Sequence, residues 1–301
     1  MLTVFFSTLN GATTLPRVLG AYGRLEEPEG GWKLVVIDNG STDDTLQILE
    51  AQPGTLPLTV LVESRRGKNT ALNTGISHLD GDLAVFSDDD AIPSPSWLRS
   101  LRVTADSQPN YAIFGGPILP SWDSQPPDWI VSCVPAGPAF ATTDGDDGPA
   151  RVQRIFGPNM AVRSRVFEEG FRFDESIGPR GKSYAMGSET ELLMRLSRAG
   201  YGAWFCKDAQ VSHIIRSYQL EPAWLFGRAR RFGRGQYRLN EAAVASSPLW
   251  AGVPRWMVRM ILTGYGRYLF ERCCFHRDKA FAARWELNVM LGKAIEARVR
   301  R

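Results

Sequence analysis

The chain has 301 residues, of which 44% are hydrophobic and 22% charged, and a formal net charge of +3 at pH 7. That is enough to bury a full core, most readily as one domain plus an extension. The four cysteines, Cys133, Cys206, Cys273 and Cys274, include no CxxC pair and no histidine at zinc-finger spacing, so neither a zinc site nor a disulfide framework is expected and a reducing cytoplasm fits.

The N-terminal run Met1-Leu2-Thr3-Val4-Phe5-Phe6 lacks a basic flank and is too short for a signal peptide, and Arg259 and Arg267 interrupt the most apolar late stretch. No transmembrane span is therefore expected. Thr3-Val4-Phe5-Phe6, Leu34-Val35-Val36-Ile37, Leu58-Thr59-Val60-Leu61-Val62 and Leu83-Ala84-Val85-Phe86 read as strands. Between and after them the periodicity predicts helices from about Leu15 to Arg24, Asp43 to Gln52, Thr70 to Leu79 and Ser96 to Asp106. This βαβ repetition implies a parallel sheet with right-handed crossovers. Ser41-Thr42-Asp43-Asp44 resembles a capping box that starts the second helix and leaves Asp38 at a strand end.

The fourth strand runs into Ser87-Asp88-Asp89-Asp90. An uncharged strand of this kind reads as buried, so its acids emerge at the carboxyl edge of the sheet, where open α/β folds bind ligands. Three adjacent carboxylates repel one another, and a divalent cation carrying a diphosphate relieves that repulsion. Alternation along an extended segment points Asp88 and Asp90 the same way and Asp89 elsewhere. The alternative for the triplet is a solvated acidic turn.

From Gly115 to Pro158 the pattern dissolves into Pro, Gly, Asp and Trp, including Trp122 and Trp129, and a stretch of that length is expected to be a functional loop. Asn159-Met160-Ala161-Val162-Arg163 is a predicted strand, followed by a short helix through Val166 and Phe167. The glycine-rich stretch from Gly178 to Gly187 is expected to move as a lid and feeds a helix from Ser188 to Arg198, with Leu192, Leu193 and Leu196 on one face. Trp204-Phe205 and Ala209-Gln210-Val211 are expected as short closing strands before His213.

Charge is spread unevenly: residues 1–221 hold 19 basic and 27 acidic side chains, residues 222–301 hold 16 and 5. In the basic quarter, arginines alternate with Trp250, Trp256, Met260, Leu262, Leu269 and Phe270, a mixture typical of interfacial helices rather than of a nucleic-acid surface. An anionic membrane surface is the expected partner and nucleic acid is not. A helical bundle capping the main domain is the alternative.

Seven marks in this order resemble the family 2 glycosyltransferases, inverting sugar-nucleotide enzymes with the GT-A fold. They are Ser7-Thr8-Leu9-Asn10, Val36-Ile37-Asp38-Asn39-Gly40-Ser41-Thr42-Asp43, Arg66-Gly67-Lys68-Asn69-Thr70-Ala71-Leu72-Asn73-Thr74-Gly75, Asp88-Asp89-Asp90 as a DxD motif, Gly157-Pro158-Asn159-Met160-Ala161, Glu189-Thr190-Glu191-Leu192, and His213. The resemblance covers Thr3 to about Tyr237. It implies an α/β, Rossmann-like GT-A domain over 1–221, with a nucleotide half to about 117 and an acceptor half over about 118–221, followed by a helical region over 222–301.

The resemblance also implies site roles. Thr8, Asn10, Asp38 and Asn39 line a nucleotide pocket, where Asp38 can accept from a base N–H or merely cap its own turn. Lys68, beside Gly67 at a helix start, suits a phosphate or ribose contact. Asp88 and Asp90, with His213, are the expected ligands of Mn2+ or Mg2+, and Asp89 is expected near the ribose. Glu189 is the expected general base, since similar proteins usually carry Glu-Asp where this chain has Ser188-Glu189. Glu191 is its rival, or returns to the Ser188 backbone in a capping box. Asn159, Trp129 and Glu191 are expected at the acceptor, with Trp122 and Trp204 as further stacking candidates. The Gln-x-x-Arg-Trp signature of processive synthases is absent, which favours single transfers.

The implied activity is metal-dependent transfer of one sugar, with inversion, from a nucleotide-sugar, by preference a UDP-sugar, to a glycan or lipid-linked acceptor at the cytoplasmic face. A non-catalytic nucleotide-sugar or membrane-binding module is an alternative. So is a haloacid-dehalogenase-type phosphatase, although two βα units here precede the acidic strand. A nucleotidylyltransferase would need a glycine-rich phosphate loop that Asn10-Gly11-Ala12-Thr13-Thr14 does not supply.

Overall fold

A computed structural model describes residues 1–52, 54, 56–181, 183–241 and 247–300. The chain forms two compact units. One comprises Met1–Ser121, Ala141–Ser176 and Ser188–Ile214, the other Trp122–Phe140, Ile177–Gly187 and Ile215–Arg301. The sequence reading divides the chain at 221; the compact units divide it otherwise, grouping Trp122–Phe140 and Ile177–Gly187 with the C-terminal residues.

The first unit is built on β1 (Leu2–Thr8), α1 (Leu15–Tyr22), β2 (Trp32–Asp38), α2 (Thr45–Glu50), β3 (Leu58–Val62), α3 (Lys68–Ile76) and β4 (Leu83–Phe86). β5 (Ala91–Pro93), α4 (Trp97–Ser107), β6 (Tyr111–Gly115) and β7 (Ile118–Trp122) follow. The chain visits α5 (Asp128–Cys133) and α6 (Ala136–Phe140) before β8 (Gly148–Ala150), β9 (Met160–Arg163), α7 (Ser164–Glu168), α8 (Ser188–Arg198), β10 (Gly202–Phe205) and β11 (Val211–Ile215).

The central eight-stranded sheet has the order β3-β2-β1-β4-β9-β6-β10-β8. β3, β2, β1 and β4 are mutually parallel, as the βαβ pattern requires, and β6 pairs parallel with β10. β9 runs antiparallel to both β4 and β6. Both faces of the sheet are covered, which explains why its strands are continuous apolar runs. Leu2, Val4, Phe6, Val36 and Val85 pack with Leu15, Val18, Trp97 and Leu101 on one face. Phe5, Val35, Ile37 and Phe86 pack with Leu72, Ile76, Phe167, Leu192 and Leu196 on the other. The triplet Leu192, Leu193 and Leu196 is buried as its spacing predicts.

Three features of this topology position the site. The antiparallel register sets Met160 opposite Phe86, so the turn Gly157-Pro158-Asn159 lies beside the carboxyl end of β4, where Ser87 Oγ donates to the Pro158 carbonyl at 3.2 Å. A second sheet of order β5-β11-β7 pairs His213 with Ala91. In that sheet the Ile214 N–H donates to the Asp90 carbonyl at 2.8 Å, so strand register carries a histidine over a hundred positions away to the acidic triplet.

The stretch from Gly115 to Pro158, expected as a loop, contains β7, α5, α6 and β8. Its prolines do not dissolve the short elements: Pro120, Pro138 and Pro149 lie within β7, α6 and β8, and Pro127 precedes α5 in an extended conformation, as a residue just outside a helix can. β6, whose Tyr-Ala-Ile-Phe run is bounded by Asn110 and Gly116, is a strand that the sequence reading passed over.

The second unit carries α9 (Pro222–Leu239), α10 (Arg255–Cys273) and α11 (Arg277–Val299), the helical C-terminal part expected from its composition. α9 and α11 approach closely because Gly233 lies against the Val289 carbonyl and Gly292 against the Arg230 carbonyl, where a Cβ would overlap backbone. Fully buried Glu296 accepts from Arg234 Nε at 2.7 Å and Arg238 Nε at 2.5 Å. In the glycine-rich stretch of this unit the Gly178 N–H donates to the Ala185 carbonyl at 2.9 Å; Lys182 of the same stretch lies outside the described residues. Among the described residues no helix is long and apolar enough to cross a membrane.

Candidate active site

At the carboxyl end of β4 the backbone leaves the sheet and presents Asp88, Asp89 and Asp90. Lys68, the first residue of α3, reaches across: its Nζ lies 2.6 Å from Asp88 Oδ1 and 2.6 Å from Glu189 Oε1. All three side chains are largely buried, with 16%, 23% and 16% of their surface exposed for Lys68, Asp88 and Glu189. One ammonium thus joins the first acid of the triplet to the first turn of α8.

Burial would push the Lys68 ammonium down, but the charges of Asp88 and Glu189 outweigh it and raise the group above the ordinary lysine range. Burial likewise opposes ionisation of Glu189. The Lys68 charge and hydrogen bond, with bonds from the Glu189 backbone and from the Ser188 hydroxyl at 2.8 Å, hold it below the usual carboxylate range. Asp88 moves the other way: burial, with Asp90 and Glu189 nearby, leaves it raised although Lys68 pulls it down. The two carboxylates sharing Lys68 are therefore unequal, and Glu189 is the one held towards its ionised form.

Gly157 makes room for this arrangement. A Cβ there would overlap the Glu189 carboxylate, so that carboxylate keeps its present position only with glycine at 157. Gly11 serves the opposite side: a Cβ would overlap Thr8 Oγ1 and lie 2.9 Å from Asp89 Oδ2, and Thr8 Oγ1 itself donates to Asp89 Oδ2 at 2.6 Å. Asp90 turns to His213, whose Nε2 lies 3.3 Å from Asp90 Oδ1.

Beside the triplet, the ends of β1 and β2 build a polar rim. Asp38 is buried and its carboxylate accepts from the Gly40 N–H at 3.1 Å and the Ser41 N–H at 3.2 Å, the turn-capping role weighed as its alternative. Asn10, in the left-handed region at φ 56, accepts from the Thr42 N–H at 2.8 Å. Asn39 donates to the carbonyls of Glu63 and Arg65 and accepts from the Gly67 N–H at 2.7 Å, which fixes the start of α3 and with it the root of Lys68.

Three expected acceptor residues are occupied elsewhere. Asn159 is fully buried; its Oδ1 accepts from Trp97 Nε1 at 2.9 Å and its Nδ2 donates to the Pro117 and Ala209 carbonyls, so its amide is turned inward. Glu191 does not fold back on Ser188; both of its oxygens accept from Arg195, one turn on, at 2.6 and 2.8 Å. Trp129 belongs to the second unit, where its ring packs edge-on to Phe281 and carries Arg277 at 4.9 Å over its face. Trp122 packs edge-on to Phe140 and Trp204 to Tyr111. The sequence reading gave no part to Gly157 or to the Ser188 hydroxyl, although both stand in motifs it quoted.

A divalent cation fits this donor set as an open site. Hard carboxylate oxygens and an imidazole stand at one sheet edge, yet among the described residues no three His, Cys, Asp or Glu side chains converge into a closed cage. Such ions are commonly held by one or two carboxylates together with substrate phosphates.

The sequence profile of the family described as Glycosyl transferase family 2 matches residues 3–171. The chain is 26% identical over 175 residues to the glucosyl-dolichyl phosphate glucuronosyltransferase of Haloferax volcanii; the match spans 56% of this chain and 54%, about half, of that protein. It is 25% identical over 241 residues to glycosyltransferase AglE of the same organism, across 79% of this chain and 73% of that one. Among solved structures, the Pyrobaculum calidifontis mannosyltransferase in complex with GDP-Man and Mn2+ aligns over 97% of this chain and 86% of its own, with a TM-score of 0.61 and 20% identity. The S. aureus TarS fragment in complex with UDP-GlcNAc aligns over 97% and 90%, with a TM-score of 0.55 and 13% identity. At those identities the likeness is one of fold, and the fold is GT-A. With the profile matched over more than half its length, the chain belongs to glycosyl transferase family 2 and is a glycosyltransferase.

Proposed function

We propose that this chain moves one sugar, with inversion at the anomeric carbon, from a UDP-sugar to a hydroxyl of a glycan or lipid-linked acceptor at a cytoplasmic membrane face. The observation that carries the reading is the Asp88-Lys68-Glu189 bridge, which brings a base and the acidic strand end within reach of one reacting centre. In a single displacement the acceptor oxygen bonds to the anomeric carbon as the bond to the diphosphate oxygen breaks. Glu189 takes the hydroxyl proton. It is suited to that because Lys68 holds it below the usual carboxylate range, Ser188 donates to it and the glycine at 157 leaves its carboxylate unobstructed.

Asp88 and Asp90, with His213 beside Asp90, would hold Mn2+ or Mg2+ jointly with the donor phosphates, and the ion would supply neutralisation of charge on the leaving diphosphate. Thr8 fixes Asp89 towards the ribose side, while Asp38, Asn10 and Asn39 shape the base and ribose pocket through the loops they brace. Lys68 is the residue that can turn from the carboxylates to the diphosphate. The lipid-linked acceptor is supported by relatives whose names specify one: the dolichyl phosphate enzyme above, and an undecaprenyl-phosphate transferase of Sodalis glossinidius that is 28% identical over 118 residues.

The test is nucleotide release and product formation across UDP- and GDP-sugars, with Mn2+ or with EDTA. Glu189→Gln is expected to lower kcat by about 10²- to 10⁴-fold while keeping donor affinity in calorimetry. Asp90→Ala is expected to abolish the Mn2+-dependent gain in donor affinity. Turnover unchanged in Glu189→Gln, or full affinity in Asp90→Ala, would overturn the reading.

A further inference from the structure

α10 buries a single residue, Met257, and exposes Trp256, Met260, Leu262, Tyr265, Leu269 and Phe270. At its end the chain turns through Phe275, which is 93% exposed and sits in the left-handed region at φ 59. A bulky aromatic in that conformation at a turn tip is uncommon in a chain that has glycine available. Apolar surface of this extent on a helix too polar to cross a bilayer marks a surface that something covers.

Beside the turn, within the same unit, lies a groove of about 510 Å³. Trp129, Phe226 and Phe275 form its apolar walls, and Arg272, Arg277 and Arg284 supply its charge. These arginines rest on rings rather than on acids: Arg277 over Trp129, Arg284 over Phe226 and Tyr268, and Arg272 donating to the Tyr268 hydroxyl. Among the described residues no carboxylate pairs with any of the three. Arg255 and Arg259 add charge along the exposed side of α10. An aromatic-walled groove with uncompensated guanidinium groups, opening next to an exposed apolar helix, complements one chemistry: a phosphate head group with its acyl or prenyl chain.

We infer that α10 and the Phe275 turn lie in the interface of an anionic bilayer, with the phosphate of a membrane lipid held by Arg272, Arg277 and Arg284. The inference deepens the membrane part of the proposed function and rests on it, but it needs no catalytic residue. Arginine favours it over lysine, since a guanidinium meets phosphate through paired N–H donors and tolerates stacking on rings.

The test is flotation of the full chain with vesicles of phosphatidylcholine alone and with vesicles containing about one third phosphatidylglycerol. Each basic residue near an anionic surface contributes about fivefold in binding. The wild type is expected on the anionic vesicles only, and Arg277→Ser with Arg284→Ser should weaken that binding by about 25-fold. Leu262→Asp with Phe270→Asp, and separately Phe275→Asp, should weaken it on the anionic vesicles as well, with an unchanged far-UV spectrum and unchanged UDP-sugar affinity showing that the fold is kept. Inorganic phosphate at millimolar concentration should not displace the wild type; displacement would mean that the groove binds free phosphate and would overturn the lipid assignment. Equal flotation of the arginine double variant would overturn it too, as would a wild type that forms stable dimers through α10 and ignores vesicles. Loss of sugar transfer with vesicle binding intact would refute the transfer reaction and leave this surface standing.

Discussion

Replacing Lys68 by glutamine removes the one cation that two largely buried carboxylates share. Breaking a buried ion pair from one side costs about 3–5 kcal/mol. Asp88 and Glu189 keep 23% and 16% of their side-chain surface in solvent, and Asp88, already raised, can take up a proton. We therefore expect somewhat less than that range, about 2–3 kcal/mol, which in a chain of this size lowers the melting temperature by about 5–10 °C. The assay is thermal unfolding near neutral pH in EDTA and in Mn2+. In EDTA the variant should melt well below the wild type. In Mn2+ it should recover more than the wild type gains, because the ion no longer competes with an ammonium for Asp88, and calorimetry should show Mn2+ alone binding about tenfold tighter, a difference of about 1.4 kcal/mol. A variant that melts with the wild type in both buffers, with the same Mn2+ affinity, would refute the charge balance assigned to the bridge.

Gly157→Ala places a methyl group into the Glu189 carboxylate, so kcat should fall at least tenfold, a barrier rise of about 1.4 kcal/mol, while donor affinity holds; an unchanged kcat would show that Glu189 is free to move. Glu296→Ala leaves Arg234 and Arg238 without their buried partner and should destabilise the helical unit by about 3 kcal/mol, read as a lower urea midpoint with Mn2+ binding unaffected. Glu63 is held down to about 2 by Arg65 and the Thr74 hydroxyl. Its folded value lies below the ordinary 4.5, so its contribution is complete above that value and is lost as pH falls from 4.5 towards 2. Exposed Arg65 is screened, which reduces the effect to about 1–2 kcal/mol; Glu63→Gln should flatten the fall in urea midpoint across that window.

β1 to β4 were legible because each is a short apolar run ended by turn residues, and both faces of the sheet demand such runs. The position of the acidic triplet followed from β4. β6 escaped because Asn110 and the Gly115-Gly116-Pro117 run crowd a strand of five residues, and nothing local reveals that β9 runs antiparallel, since direction is set by where a long excursion returns. His213 was named from family resemblance; what brings it to Asp90 is its register against Ala91, a pairing no window of sequence contains. Asn159 shows the opposite case. A polar residue beside a site looks like a ligand group, yet its amide closes three hydrogen bonds inside the sheet edge. Trp129 looked like a stacking platform for sugar, but rings that large more often complete a core, here with Phe281.

Lys68 was expected at a phosphate and is found between two carboxylates, and the two positions follow from the same electrostatics. Asp88 and Glu189 share a single ammonium and Asp90 lies beside Asp88, so the donor-free site is rich in carboxylates and disfavours the approach of a diphosphate on its own. A divalent cation held by Asp88 and Asp90, as proposed above, would reverse that preference and would release Lys68 from Asp88. An ammonium on a flexible four-carbon stem can then follow the negative charge, which a rigid guanidinium fork would do less readily. Glu189 would lose part of the field that holds it low as the lysine leaves, and so become a stronger base when donor is present. Lys68→Gln should accordingly weaken diphosphate binding even while it tightens Mn2+, an opposed pair of changes that a purely structural lysine would not produce.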